Sequence, residues 1–247
     1  MLDQIAISPR CEQGIRAFKV GDTFSERLYL SERVFMQGRH VGLSIVQSGF
    51  MKVLIFSDIH NDLAALRRLV QIEADYYVAA GDLVSWGRGL DSCGEVLREK
   101  AGKVWAIPGN HESAEQIASF CAKFGLRNVH DQLIEVSRRK FGALGYSSPT
   151  PFHTPGEYSE EQIAERLRPF AGIERLILIC HAPPYGTDLD RVKEGLHAGS
   201  RSVLEFIEAN QPEYFFCGHI HEAEGRQVRI GKTVGINVGR RGYLLEL

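Results

Sequence analysis

The chain has 247 residues, a net charge of −2 at neutral pH and a pI near 6.5, which gives no global electrostatic case for nucleic acid or an anionic membrane. Its 44% hydrophobic content suffices for one large α/β domain, or one domain with a small appendage. No stretch approaches the roughly 18 apolar residues of a spanning helix and no apolar signal-peptide core opens the chain, so a cytoplasmic location without a membrane partner is expected.

The first fifty residues mix six Lys/Arg with five Asp/Glu and hold no repeat or ligand cluster. Arg27–Phe35 could form a hairpin. Residues 1–50 are therefore expected to be a dispensable N-terminal extension, and residues 51–247 the functional domain.

From Met51, a buried strand runs into a polar loop and then a helix, with Leu63, Leu66, Leu69 and Val70 on one face. Apolar runs at Tyr76–Ala80 and Val104–Ile107 predict two more strands. Ser113-x-x-Gln116 is a capping box, opening a helix through Phe124 that Gly125 ends. Further strands are expected around Leu133–Val136, Phe141–Leu144, Leu176–Cys180 and Tyr214–Cys217, with a helix over Ser200–Glu208. The glycine-broken tail from Val228 to Leu247 reads as strands in hairpins. Such an order suggests a helix-flanked sandwich of mixed sheets.

Of the five cysteines (Cys11, Cys93, Cys121, Cys180, Cys217), no two form a CxxC pair. That odd, unpaired set argues against a disulfide framework or a zinc knuckle. Cys180 and Cys217 end apolar runs and are expected as buried thiols.

Polar clusters follow most of the apolar runs: Asp58-Ile59-His60, Gly81-Asp82, Gly109-Asn110-His111-Glu112, His181 and Gly218-His219-Ile220-His221. Each is weak alone, but oxygen and imidazole donors delivered repeatedly from strand ends are what a pair of metal ions requires. Two ions in one cleft point to metal-assisted hydrolysis, most often at phosphorus. Mixed Asn, Asp and His donors favour Mn²⁺ first, then Fe or Zn²⁺, over Ca²⁺ or Mg²⁺.

In this order the clusters resemble the motif series of the calcineurin-like metallophosphoesterase superfamily, over about 190 residues from Met51. His181-Ala182-Pro183-Pro184-Tyr185-Gly186-Thr187 and Gly218-His219-Ile220-His221-Glu222 are similar to small single-domain prokaryotic members. The resemblance implies α/β architecture, with two mixed β-sheets packed as a four-layer sandwich flanked by helices. It implies that Asp58, His60 and His221 hold one ion, that Asn110, His181 and His219 hold the other, and that Asp82 bridges both. It gives His111 a hydrogen bond to substrate or a proton to the leaving oxygen. The implied chemistry is in-line attack on phosphorus by a hydroxide bridging the ions.

Glu112 is expected at a helix N-terminus, interacting with the dipole. Asn237-Val238-Gly239 stands where relatives often carry Asn-Pro-Gly, which puts that loop's rigidity in question. His40, His130 and His153 have no ligand spacing and are read as surface or packing residues. His197, Arg201 and Arg88 are weaker candidates for touching a substrate phosphate or for solvated loop positions. Specificity is expected in the loops 85–94, 146–158 and 183–201. None of these is long enough for a large cap, so an open cleft and a phosphodiester or other exposed phosphoryl substrate are expected. The alternatives are a phosphomonoesterase, a nuclease, or a non-catalytic scaffold. A nuclease gains no support from 23 Lys/Arg against 26 Asp/Glu after Met51, and a scaffold is expected to have lost a site residue.

Overall fold

A computed structural model describes residues 50–247. The hairpin expected at Arg27–Phe35, His40, Cys11 and the extension itself lie outside the described residues.

The first half alternates strands and helices. In chain order it runs β1 (Lys52–Phe56), α1 (Leu63–Val70), β2 (Tyr76–Ala80), α2 (Leu90–Leu97), β3 (Val104–Ile107), α3 (Ala114–Phe124) and β4 (Arg127–Asn128). The second half runs β5 (Gln132–Val136), β6 (Arg139–Leu144), α4 (Glu160–Leu167), β7 (Leu176–Cys180), β8 (Arg191–Lys193), β9 (Leu196–His197), α5 (Arg201–Asn210), β10 (Tyr214–Cys217), β11 (Gln227–Ile230), β12 (Thr233–Asn237) and β13 (Tyr243–Glu246).

Eleven of these strands form two mixed sheets, of order β13-β1-β2-β3-β4 and β11-β12-β10-β7-β6-β5, and β8 and β9 pair with each other. The interior strands pair in parallel, and antiparallel strands close both edges of the second sheet and one edge of the first. Period-two alternation sorts the side chains. Val53 and Ile55 of β1 and Val78 of β2 face Phe141, Ile177, Ile179 and Phe216 across the sandwich. Leu54, Phe56 and Tyr77 point the other way, against Leu66, Leu69, Ile117 and Phe120 of the first helices. Leu176, Leu178 and Phe215 likewise pack on Ile163, Leu167, Val203 and Ile207 of α4 and α5. Four layers result, helix–sheet–sheet–helix, because each central strand is apolar on both faces.

The capping box at Ser113 forms as expected, with Gly125 in the left-handed C-cap. Four features depart from expectation. Helix α2 occupies part of the anticipated loop 85–94, and the loop 183–201 contains the small β8–β9 hairpin. Helix α4 also forms; its own capping box, Ser159 to Gln162, was the signal available in the sequence. Finally, β11 and β12 make the expected hairpin, but β13 crosses to the other sheet and pairs antiparallel with β1.

Candidate metal centre

Five parallel strands end at the same rim. Asp58 and His60 follow β1, Asp82 follows β2, Asn110 and His111 follow β3, His181 follows β7, and His219 and His221 follow β10. The two sheets thus each contribute neighbouring strands, and their carboxyl ends deliver side chains to one crevice. The turns there are tight. Asp58, His60, Asp82 and His219 all sit in left-handed backbone, with φ of +56°, +44°, +52° and +69°. Such strain at non-glycine residues costs on the order of 1–3 kcal/mol each and gathers at functional sites. Glycine is needed where loops touch: a Cβ on Gly109 would collide with Asp82, and one on Gly218 with Ser57 and Asp58.

Three sets of donor atoms converge: Asp58, His60 and His221; His60, Asp82 and His111; and Asp82, His181 and His219. Within each set the atoms lie within 4.8 Å of one another. Asp82 Oδ2 stands 3.6 Å from His60 Nε2 and 3.4 Å from His181 Nε2, between a histidine of the more exposed sets and one of the buried, inner set. Asn110 joins the inner one, its Oδ1 lying 3.1 Å from His181 Nε2 and 2.8 Å from His219 Nδ1. All eight site residues read from the sequence therefore come together.

A model of the calcineurin-like phosphoesterase family matches residues 51–223. The chain belongs to this family. It is 32% identical over 203 residues to the uncharacterized protein MJ1162 of Methanocaldococcus jannaschii, covering 79% of this chain and 91% of that one. The crystal structure of TT1561 from Thermus thermophilus shares the fold, with a TM-score of 0.60 at 18% identity over 80% of this chain and 99% of that one. As a calcineurin-like phosphoesterase the protein is a hydrolase of phosphate esters, and the family binds divalent metal ions.

The donors fit such ions. His181 Nδ1 lies 2.9 Å from the Ala80 carbonyl, which can only accept, so the neutral ring turns its Nε2 lone pair toward Asn110 Oδ1 and Asp82 Oδ2. Acceptors facing one another at these distances are satisfied only by positive charge between them. Burial would lower the pKa of His181, but the Asp82 carboxylate outweighs it and brings it up to about 9, so the site attracts a proton where a cation fits. His60 Nε2 and His221 Nε2 meet at 2.9 Å. Burial pushes His60 down to about 4 and His219 to about 3, and neutral rings are what metal ligation needs. Burial raises Asp58 to about 6, whereas for Asp82 the facing His181 and His60 overcome burial and hold the carboxyl well below its usual range.

His111 is placed differently. Its backbone N–H donates to Asp82 Oδ1 at 2.9 Å, and its Nδ1 accepts from the Trp86 N–H at 3.1 Å. The ring stands edge-on between His60 and Trp86.

Several supporting residues were not visible as such in the sequence. Thr154 donates to Glu157 Oε1 at 2.6 Å, so its oxygen accepts from Asn110 Nδ2 at 3.2 Å and turns the Asn110 carbonyl into the site. Asn237 Nδ2 reaches the carbonyls of Leu189, Gly218 and Ile220, bracing the loop of His219 and His221. With Val238 buried next to it, that loop is held without the proline. Glu112 departs from expectation. Its fully buried carboxyl group accepts the N–H groups of Asp82, Val84 and Gly109, tying the loops after β2 and β3 together rather than capping α3, which Ser113 caps.

The weaker candidates have other partners. His197 Nδ1 is 2.7 Å from Asp190, a buried carboxylate that also accepts from Gly186, Thr187 and Gly199, so this histidine organises its own loop. Arg201 covers the Tyr185 ring at 4.2 Å, and the Arg88 carbonyl accepts from Asn61. His130 packs against Tyr158 and Tyr146, and His153 is exposed. Cys93, Cys121, Cys180 and Cys217 are buried free thiols. No helix among the described residues is long and apolar enough to cross a membrane.

Proposed function

We propose that this chain is a binuclear metal-dependent phosphodiesterase, with Asp58, His60 and His221 holding one ion, Asn110, His181 and His219 the other, and Asp82 between them. The observation that carries this reading is the shared position of Asp82, whose Oδ2 faces a histidine of each set. Bound ions would supply Lewis-acid stabilisation of charge on phosphorus and a nucleophilic water at neutral pH; the donor chemistry favours Mn²⁺, with Fe or Zn²⁺ as alternatives.

The chain's own groups do the rest. Ala80 and Ser85 hold the His181 and His60 rings through their Nδ1 atoms; the Ala80 carbonyl, which can only accept, sets the His181 tautomer and leaves its Nε2 for an ion. The His111 ring, whose Nδ1 accepts the Trp86 N–H, carries its proton on Nε2 and is free to donate a hydrogen bond from there to the leaving oxygen. No side chain in the cluster is an activated serine or cysteine nucleophile, which leaves water as the attacking group.

Diester preference draws on the openness of one side. The His221 side chain is 57% exposed and His60 20%, while His181 is fully buried. A substituted phosphate reaches such a half-open site without being enclosed. The reading places the reaction in the cytoplasm, where the four buried thiols stay reduced.

The test is hydrolysis of bis-aryl and mono-aryl phosphates after Mn²⁺ addition, with a chelator control. Chelator-sensitive turnover favouring the bis-aryl ester is expected. Preference for the mono-aryl ester would replace the diesterase by a monoesterase, and rates equal to protein-free solution across a phosphate panel would leave a scaffold.

A further inference from the structure

The chain contains two tryptophans, with opposite placements. Trp105 is 2% exposed in the sandwich core, whereas Trp86 is 50% exposed beside the candidate centre. Trp86 also sits in left-handed backbone, φ +53°, where a bulky side chain is unfavourable and glycine would be at ease.

The turn that carries it is held firmly, and none of its bonds uses the indole. The Asn61 side chain accepts from the Ser85 N–H at 3.0 Å and donates to the Arg88 carbonyl at 2.9 Å. Ser85 Oγ meets His60 Nδ1 at 3.1 Å, and the Trp86 backbone N–H reaches His111 at 3.1 Å. A glycine at position 86 would make every one of these contacts. What only tryptophan adds is a large ring, edge-on to His111 with centroids 5.4 Å apart, whose surface is left half in water.

We propose that the Trp86 indole is a stacking platform for a planar aromatic group on the leaving alcohol of the phosphate ester, an aryl ring or a nucleobase. The assignment rests on the reading of His111 as donor to the leaving oxygen, because that role puts Trp86 on the leaving-group side. Stacking suits this task, since it holds a ring without requiring a particular hydrogen-bond pattern.

The test compares an aryl and an alkyl ester of the same phosphate class, in wild-type protein and in W86A and W86F. The ratio of kcat/KM for the aryl over the alkyl ester is expected to fall roughly 5- to 100-fold in W86A, chiefly through KM, as removal of a stacking ring does. W86F, which restores a plane, should recover most of it. If both esters slow together and the ratio holds, the indole merely supports His111 and the proposal is overturned. A second readout needs no turnover: tryptophan fluorescence titrated with a nucleoside monophosphate and with glycerol phosphate. A response to the nucleotide alone, lost in W86F, is expected; equal responses, or a response that survives in W86F, overturn the platform. Should no phosphate ester be hydrolysed, the functional reading falls while the fluorescence titration still decides Trp86.

Discussion

His111 shows how a side chain can belong to the cluster without being one of the seven assigned ligands. Its main chain already serves Asp82 and its Nδ1 is taken by Trp86, which leaves one ring nitrogen for chemistry. Replacing His111 with Asn is expected to lower the rate roughly 10²-fold or more, the scale of losing one hydrogen-bond donor to charge developing in the transition state, while metal content by elemental analysis stays at the wild-type level. A variant that lost its metal would instead make His111 a residue that orients the ligands. Asn110 makes the complementary point, because its useful orientation is decided by Thr154 and Glu157. Hydrogen bonds from Thr154 and Thr150 outweigh burial and hold the Glu157 carboxyl below its ordinary pKa, so Thr154 must donate there and accept from Asn110. Thr154→Val is expected to weaken metal affinity about 10–100-fold, the usual effect of losing an outer hydrogen-bond partner, and Thr154→Ser to restore it. Calorimetric metal titration reads both; equal affinity in the two variants would remove Thr154 from this role. Asn110 was legible from its motif. Thr154, 44 residues away in a loop without pattern, was not.

At the level of elements, the strand ends and capping boxes were the readable features, since both write themselves into short local spacing. Helix α4 has few apolar positions, Ile163 and Leu167 being its buried ones, so its hydrophobic period is faint while Ser159-x-x-Gln162 is clear. Its first residue also does something no local pattern records. The Glu160 carboxylate accepts from Ser200 Oγ and from the N–H groups of Arg201 and Ser202, joining α4 to the start of α5. Hydrogen bonds to a charged group are worth more than neutral ones, so Glu160→Ala is expected to cost roughly 1–3 kcal/mol. Urea unfolding measures this, and a midpoint equal to wild type would show the link to be idle. β13 was misplaced for a related reason. A hairpin is the default for consecutive strands, but Leu245 is buried in the layer between the sheets and finds its register beside Val53.

At the scale of the whole molecule, the family match begins at residue 51, and every proposed ligand lies after it. This supports the proposal that residues 1–50 are dispensable. A chain starting at Met51 is expected to be soluble and to keep the full chain's kcat/KM for a phosphate ester. Insolubility or lost turnover would make the segment part of the functional protein.

By itself the amino-acid sequence determined the layered α/β class and picked out eight residues that converge at one rim, because apolar runs of strand length and the polar clusters that follow them are local in the chain. It also carried the family resemblance, through motifs that each occupy one loop. Only the tertiary structure decided which loops meet. Asp82 lies between the two histidine sets because β2 lies beside β1 in one sheet while β7 and β10 adjoin in the other. Thr154, Asn237, Glu112 and Asp190 acquired their partners in the same way, through hydrogen bonds whose far ends lie in loops that folding brings together. Those partners are set by sheet order and strand register, and no local spacing encodes either.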